Sequence, residues 1–367
     1  MKLKTIIKTF GPAMEMKYSN KILPDHKKAM IAMLKCRTED CGEVIVKCPD
    51  CGRIESFNHS CGNRNCPCCQ NHETSIWIKK QQSKLLPVKY FMVTVTVPYQ
   101  LRNPIWRNQR KCYNILFSAS VKAMEEIAEN NKYLGGTLGM TGVLHTHARN
   151  LDFHPHIHFI VPGGAIDKSK SLWIKKRGKY LFPWKKLSLL FKGKFLAELL
   201  ENGVTFSNSV YKKEWRVNIK DAGDGEGALL YLSRYLYRGV ISEKRIKNNN
   251  DGNITFSYID SKTGKERYRT MKGEDFLFHT LQHVLPKGYR RSRDYGFLHG
   301  NAKKTLHLLQ ILLIPKISDS TDEITERPKF KCPNCGVSMN IINQTFNGSR
   351  HFLIKIKELN QIPVLCG

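Results

Sequence analysis

The sequence predicts an α+β protein, a central antiparallel sheet with helices, preceded by a zinc-ribbon-like domain. Three observations carry this. Eight of the twelve cysteines fall between Cys36 and Cys69. Two strand-like segments, 138–147 and 156–161, follow one another across a short turn, and helical periodicity fills the stretches before and after them. A chain of 367 residues suits two or three domains. The expected division is an N-terminal zinc-binding domain over residues 1–86, a sheet-bearing domain over 87–245, and a basic C-terminal region over 246–367 with a further cysteine knuckle.

The cysteines come first. Fourteen residues, the first of them Gly52, separate Cys48-Pro-Asp-Cys51 from Cys66-Pro-Cys68-Cys69. Two C-x-x-C knuckles brought together give the tetrahedral sulfur site that Zn²⁺ prefers, with bonds of ~2.3 Å. This spacing predicts one structural zinc on Cys48, Cys51, Cys66 and Cys69. Cys36, Cys41, His59, Cys61 and His72 remain and suffice for a second ion, although Cys36 and Cys61 also read as small buried apolar residues. Cys332-Pro-Asn-Cys335-Gly336 repeats the knuckle, with Cys366 and His351 available to complete it. Four-thiolate sites are closed to water, so these zincs are structural. The first twelve residues hold only the apolar pair Ile6-Ile7, too short for a secretory core of about 7–15 residues. A reducing, cytoplasmic, bacterial and nucleoid-associated setting is expected, where clustered thiols hold metals rather than disulfides. No apolar run approaches the ~20 residues of a membrane span.

A helix over 76–86 ends at Pro87. Residues 90–97 alternate Phe91, Val93, Val95 and Val97 against Tyr90, Met92, Thr94 and Thr96, a half-buried strand that Pro98 ends. A long helix over 104–130 places Ile105, Cys112, Leu116, Ala119, Ala123 and Ile127 on one stripe. The strands 138–147 and 156–161 pair antiparallel across a turn at 150–154, the second stopped by Pro162-Gly163-Gly164. A helix over 227–241 buries Leu229, Leu232, Leu236 and Val240. A hairpin tip at 248–252 then leads into strands around 254–259 and 267–271.

The chain holds 60 Lys+Arg against 31 Asp+Glu, a net charge of +29. Such an excess calls for a polyanionic partner, because clustered cations repel unless phosphates neutralise them. A local +10 lies over residues 167–220, interleaved with Trp173, Tyr180, Phe182, Trp184, Phe191 and Trp215. That mixture suits single-stranded nucleic acid, whose bases stack on rings at roughly 1–3 kcal/mol each. An amphipathic surface over core aromatics is the alternative. Lys287, Arg290, Arg291 and Arg293 form a later basic stretch, either a DNA-backbone contact or a solvated face.

His154-Pro155-His156-Ile157-His158 is the most informative segment. Strand alternation puts His156, His158 and Ile160 on one face and Ile157, Phe159 and Val161 on the other. Two imidazoles then project side by side and can hold one metal ion, beside His145 and His147 of the preceding strand. Tyr231 and Tyr235 lie one helical turn apart on the same face, flanked by Arg234 and Arg238. A phenol has a pKa near 10 and is a poor nucleophile at neutral pH, so it needs a phosphate activated by a divalent cation.

These residues carry a resemblance. The chain resembles the rolling-circle transposases of IS91 type, within the HUH (His-hydrophobe-His) nuclease superfamily. Cys48-x-x-Cys51-Gly52 and Ser60-Cys61-Gly62-Asn63-Arg64-Asn65-Cys66-Pro67-Cys68-Cys69-Gln70 are similar to that family's zinc-binding domain. Leu144-His145-Thr146, His154 to His158, Tyr231-Leu-Ser-Arg-Tyr235-Leu-Tyr-Arg238 and Leu281-Gln-His283-Val-Leu-Pro-Lys-Gly288 follow in the family's order. The resemblance implies an HUH nuclease domain over 87–245 and a transposase acting on single-stranded DNA and transposon-end hairpins. His156 and His158 would hold Mg²⁺ or Mn²⁺ against the scissile phosphate, and Tyr231 or Tyr235 would attack to leave a 5′-phosphotyrosine and a free 3′-OH. Arg234, Arg238, Lys287, Arg290 and Arg291 would contact DNA. A third metal ligand is expected among Asn150, His147 and His154. Two other readings stay open: a plasmid replication initiator or relaxase with the same chemistry, and a zinc-containing nucleic-acid-binding regulator in which the two tyrosines only pack.

Overall fold

A computed structural model of the chain describes residues 2–69, 71–167, 169, 172–176, 178, 180–233, 236, 239–260, 263–313 and 329–346. Helices α1 (Leu3–Lys17) and α2 (Pro24–Lys35) open it. The α1 residues Leu3, Ile6, Ile7, Phe10 and Met14 recur at helical spacing and form a stripe that must be covered. Pro24 starts α2, its fixed φ suiting the first helical position. Strands β1 (Glu43–Lys47) and β2 (Ile54–Asn58) form a hairpin around the first knuckle, and α3 (Asn71–Gln82) overlaps the helix predicted over 76–86 but starts earlier and ends before Pro87 is reached.

Strand β3 (Tyr90–Thr96) follows. The helix predicted over 104–130 is broken into α4 (Arg102–Arg107) and α5 (Gln109–Glu129), because Asn108 leaves the helical region at φ −128°, ψ 42°. Strands β4 (Gly139–His147) and β5 (Phe153–Pro162) pair antiparallel. Their turn is tighter than the expected 150–154: Leu151 N–H bonds to Ala148 C=O at 3.0 Å, and Phe153 and His154 already belong to β5. A small ribbon, β6 (Gly164–Asp167) and β7 (Leu172–Lys175), precedes α6 (Trp184–Glu201), β8 (Val217–Asp221) and α7 (Glu226–Ser233). The predicted continuation of α7 to Ile241 is not met, since Gly239–Ile241 is not helical. There the chain runs against the cysteine knuckle, so close that a Cβ on Gly239 would stand 2.9 Å from the Asn65 carbonyl oxygen. Strands β9 (Ile246–Asn250), β10 (Asn253–Ile259) and β11 (Glu266–Lys272) form a meander. Helix α8 (Gly273–Leu281), β12 (Ser292–Gly296), α9 (Lys303–Leu313) and β13 (Asn340–Gln344) complete the described chain.

The central sheet runs β12-β4-β5-β3-β8, antiparallel throughout. One face, with Val93, Val95, Leu144, Ile157 and Phe159, is sealed by α5 and α6. The other, with Tyr90, Val143 and Ile160, meets Trp77 of α3 and Leu229 and Leu232 of α7. Helices on both faces explain why nearly all of β4 is buried. Gly142 is required in that strand, because a Cβ would lie 2.6 Å from the Phe159 ring.

The ends of the chain fold together. Helices α1 and α2 share a core with Ile254, Phe256, Phe276 and Leu281 from β10 and α8, and with Cys36, Cys66 and Cys69. Strand β13 pairs with β1, so a segment near the C-terminus completes the N-terminal sheet. No helix among the described residues is long and apolar enough to cross a membrane.

Candidate active site

His145, His156 and His158 meet on the α7 side of the central sheet. Alternation on β5 turns His156 and His158 the same way, and the register sets His145 of β4 opposite His156. Ring centroids stand 5.2 Å apart for His145 and His156, 4.5 Å for His145 and His158, and 4.9 Å for His156 and His158. One donor atom from each lies within 4.8 Å of the other two, a set able to hold a divalent cation. His156 Nδ1–H donates to the His154 carbonyl at 2.6 Å, which leaves its Nε2 with a lone pair. His158 Nδ1 shares a 2.8 Å hydrogen bond with the Thr94 hydroxyl, directly across the ladder on β3. Burial pushes His156 down to about 4. It pushes His158 down to about 3, helped by the neighbouring His156. Burial also holds His145 well below the usual range. All three are therefore neutral lone-pair donors at pH 7, the state that metal binding needs.

The expected third ligand was Asn150, His147 or His154, and the structure brings His145 to the pair instead. The β4–β5 register shifts between His145 and His147, so His147 faces Phe153 and its ring lies against His283 at 5.1 Å. Asn150 is tied to Asp152 at 2.8 Å, and His154 Nδ1 is held by Arg102 at 2.7 Å. His145 was visible in the sequence two residues before His147, but only the strand register could select it. Thr94 carried no sequence signal beyond its place in an alternating strand.

Tyr231 stands at this cluster. Its ring is edge-on to His158 at a centroid distance of 6.0 Å, on a helix anchored by buried Leu229 and Leu232. Arg234, Tyr235 and Arg238 lie outside the described residues.

The cysteines regroup. Cys48 and Cys51 do not join Cys66 and Cys69; they meet Cys332 and Cys335, while Cys66 and Cys69 meet Cys36 and Cys61. The hairpin β1–β2 and the pairing of β13 with β1 carry the first knuckle toward the C-terminal one, and α2 delivers Cys36 to the other cluster. A zinc tetrahedron with ~2.3 Å bonds has edges of about 3.8 Å. Sulfur–sulfur distances of 3.4, 3.5 and 4.0 Å in one cluster and 3.3 and 3.7 Å in the other fit it. Mutual hydrogen bonds pull the Cys36 and Cys69 thiols down and push Cys61 and Cys66 up, so the four sulfurs share their protons until a cation takes them as thiolates. Two all-sulfur sites thus support structural zinc. His351 and Cys366 lie outside the described residues.

The basic stretches divide as well. Lys287 and Arg290 are exposed, but Arg291 is buried, its charge close enough to lower His145 and His147. Its backbone is part of the ladder, since Leu144 N–H bonds to the Arg291 carbonyl at 2.9 Å. Arg293 covers the rings of Phe117 and Tyr289. Of the aromatics over 167–220, Phe182, Phe191 and Trp215 are core, and Tyr180 and Trp184 are exposed.

The chain is similar to known transposases. A family model described as "Putative transposase" matches residues 139–305, and one described as transposase zinc-binding domain matches residues 6–97. "Putative transposase y4qJ" of Sinorhizobium fredii is 30% identical over 379 aligned residues, which cover 94% of this chain and 95% of that protein. "Transposase for insertion sequence element IS801" of Pseudomonas savastanoi pv. phaseolicola is 28% identical over 286 residues, 72% of this chain and 68% of that one. No solved structure matches.

Proposed function

Since the chain belongs to the IS91-type transposases, DNA-processing proteins with a zinc-binding domain, we propose that it cleaves and rejoins single-stranded DNA at element ends through a 5′-phosphotyrosine, in rolling-circle-like transposition. The observation that carries this reading is Tyr231 beside His158 in a three-histidine donor set. Family membership favours the transposase over the replication initiator; a regulator in which the two tyrosines only pack would form no covalent adduct with DNA.

Three imidazoles are a poor match for Mg²⁺, which prefers oxygen, and sit more comfortably with Mn²⁺ or another transition metal. Bound by His145, His156 and His158, the cation would supply Lewis-acid polarisation of a phosphoryl oxygen. The residues of the chain do the rest. Tyr231 Oη forms a bond to phosphorus as it loses its proton, the bond from phosphorus to O3′ breaks, and O3′ is protonated. One phosphodiester is exchanged for one phosphotyrosine, so attack by another strand's 3′-OH reverses the step without ATP. Helix α7, anchored by its leucines, delivers the phenol from a rigid element. Tyr235 serves as second nucleophile, Arg234 and Arg238 as phosphate contacts, and exposed Lys287 and Arg290 as contacts to transposon-end hairpins. The functional plan keeps a zinc-binding part before residue 87, counts the Cys332–Cys335 knuckle with it, and extends the nuclease part past residue 245, since β12 lies in the central sheet and α1 and α2 share a core with β10 and α8.

The test is direct. The full chain, incubated with Mn²⁺ and single-stranded oligonucleotides bearing element ends, forms a denaturant-resistant protein–DNA adduct. Tyr231→Phe removes the adduct and Tyr235→Phe leaves the first one intact. No adduct over a broad set of ends overturns the proposal.

A further inference from the structure

His154 stands beside the metal-binding histidines without joining them. Its ring lies 5.1 Å from that of His156, half-buried at the start of β5. Its Nδ1 is 2.7 Å from a guanidinium nitrogen of Arg102, the first residue of α4. A guanidinium carries only donors, so Nδ1 is the acceptor, and a ring with a bare Nδ1 is neutral and keeps its one hydrogen on Nε2. His156 has the opposite tautomer, with Nδ1–H given to the His154 carbonyl and Nε2 bare. One strand thus presents a lone pair for a cation and, one ring away, an N–H for an oxygen.

That N–H is open to a ligand. Among the described residues nothing bonds to His154 Nε2, and the atom is not buried. Its place is also opposite the phenol. Tyr231 meets His158, and the rings of His156 and His154 follow in order along β5, away from that end. In an in-line displacement at phosphorus, the leaving oxygen departs on the side away from the nucleophile.

We propose that His154 is a further catalytic residue, whose Nε2–H donates a hydrogen bond to O3′ as the bond from phosphorus breaks, and that Arg102 is the positioning residue that fixes its tautomer. The proposal rests on the phosphotyrosine reading above and names the group that stabilises the leaving oxygen. Negative charge grows on O3′ in the transition state, so the donor binds more strongly there than in the bound substrate, and only that difference accelerates the step. No proton passes through His154. The electron pair of the broken bond stays on O3′, which takes a proton from water, and water receives the proton that Tyr231 loses.

The experiment exchanges the leaving atom. The full chain with Mn²⁺ receives an element-end oligonucleotide carrying either O3′ or a bridging S3′ at the scissile position, and adduct formation is timed in single turnovers. Sulfur leaves as a thiolate, whose conjugate acid has a pKa of ~8.5, and needs little help from a donor. His154→Asn keeps an amide oxygen to accept from Arg102 but places nothing at the Nε2 position. It slows the O3′ substrate about hundredfold, as the loss of one oxyanion donor does, and cleaves the S3′ substrate at the wild-type rate. His154→Gln, which carries an N–H out to the Nε2 position, recovers most of the O3′ rate. Both variants bind Mn²⁺ as wild type does, since His154 is not a ligand. Spectra of ¹⁵N-histidine-labelled wild type, with the His154 signals identified by their loss in His154→Asn, show the hydrogen on Nε2 before DNA is added. Hydrogen on Nδ1, an O3′ rate unchanged in His154→Asn, equal slowing on O3′ and S3′, or weakened Mn²⁺ binding overturns the proposal. Wild type that forms no adduct with either substrate overturns the phosphotyrosine reading itself, an outcome distinct from a wild-type adduct whose rate ignores His154.

Discussion

Thr94→Val removes one hydroxyl from the site and almost nothing else. Both side chains are β-branched, so strand β3 keeps its shape and its register with β5 and β8. What goes is the 2.8 Å hydrogen bond to His158 Nδ1, which holds the ring orientation that presents Nε2 to a cation. Loss of such an orienting partner lowers metal affinity roughly 10–100-fold, or about 1.4–2.7 kcal/mol. The lower end is expected here. A neutral hydrogen bond contributes about 0.5–1.5 kcal/mol net, and His156 keeps its own anchor on the His154 carbonyl. Calorimetric titration of Mn²⁺ into wild type, Thr94→Val and Thr94→Ser checks this, with about tenfold weaker binding for Val and recovery for Ser. A Val variant that binds Mn²⁺ within twofold of wild type would refute the argument that Thr94 orients His158.

Metal analysis gives two zinc ions per chain, and Cys332→Ser combined with Cys335→Ser gives one. A variant that keeps both would mean that Cys48 and Cys51 find their partners elsewhere. Stability falls on the acid side through His26, which is fully buried and whose pKa burial pushes down to about 4 from an ordinary 6.5. A depressed value means that the unfolded chain binds the extra proton first. The contribution is therefore complete above pH 6.5 and is lost as pH falls toward 4, at ~1.4 kcal/mol per unit and roughly 3 kcal/mol in all. Urea unfolding at pH 7, 5.5 and 4.5 measures that slope, to which buried His145, His156 and His158 also contribute, and His26→Leu should make it shallower by about 1.4 kcal/mol per pH unit; an equal slope in both proteins would discard His26 as a contributor.

Much of the site was legible before any coordinates. Period-two alternation over 156–161 placed His156 and His158 on one face, because the strand pleat leaves a side chain no other choice. Helical spacing of Leu229 and Leu232 likewise placed their stripe in the core. The ends of elements were harder to read. The break at Asn108 and the end of helical structure before Gly239 depend on what each segment packs against, and propensity does not record that.

Local order in the chain determined the residue types, the strand and helix faces and the presence of thiolate knuckles, since each follows from periodicities of a few residues. Tertiary structure alone decided which knuckle closes with which, which histidine joins the pair, and that Arg291 lies buried rather than on the surface. Cys48 meets Cys335 across 287 positions because β13 pairs with β1, and His145 meets His156 because a ladder register aligns them. Partnerships of that kind are set by strand pairing between distant segments, and spacing along the chain carries no information about it.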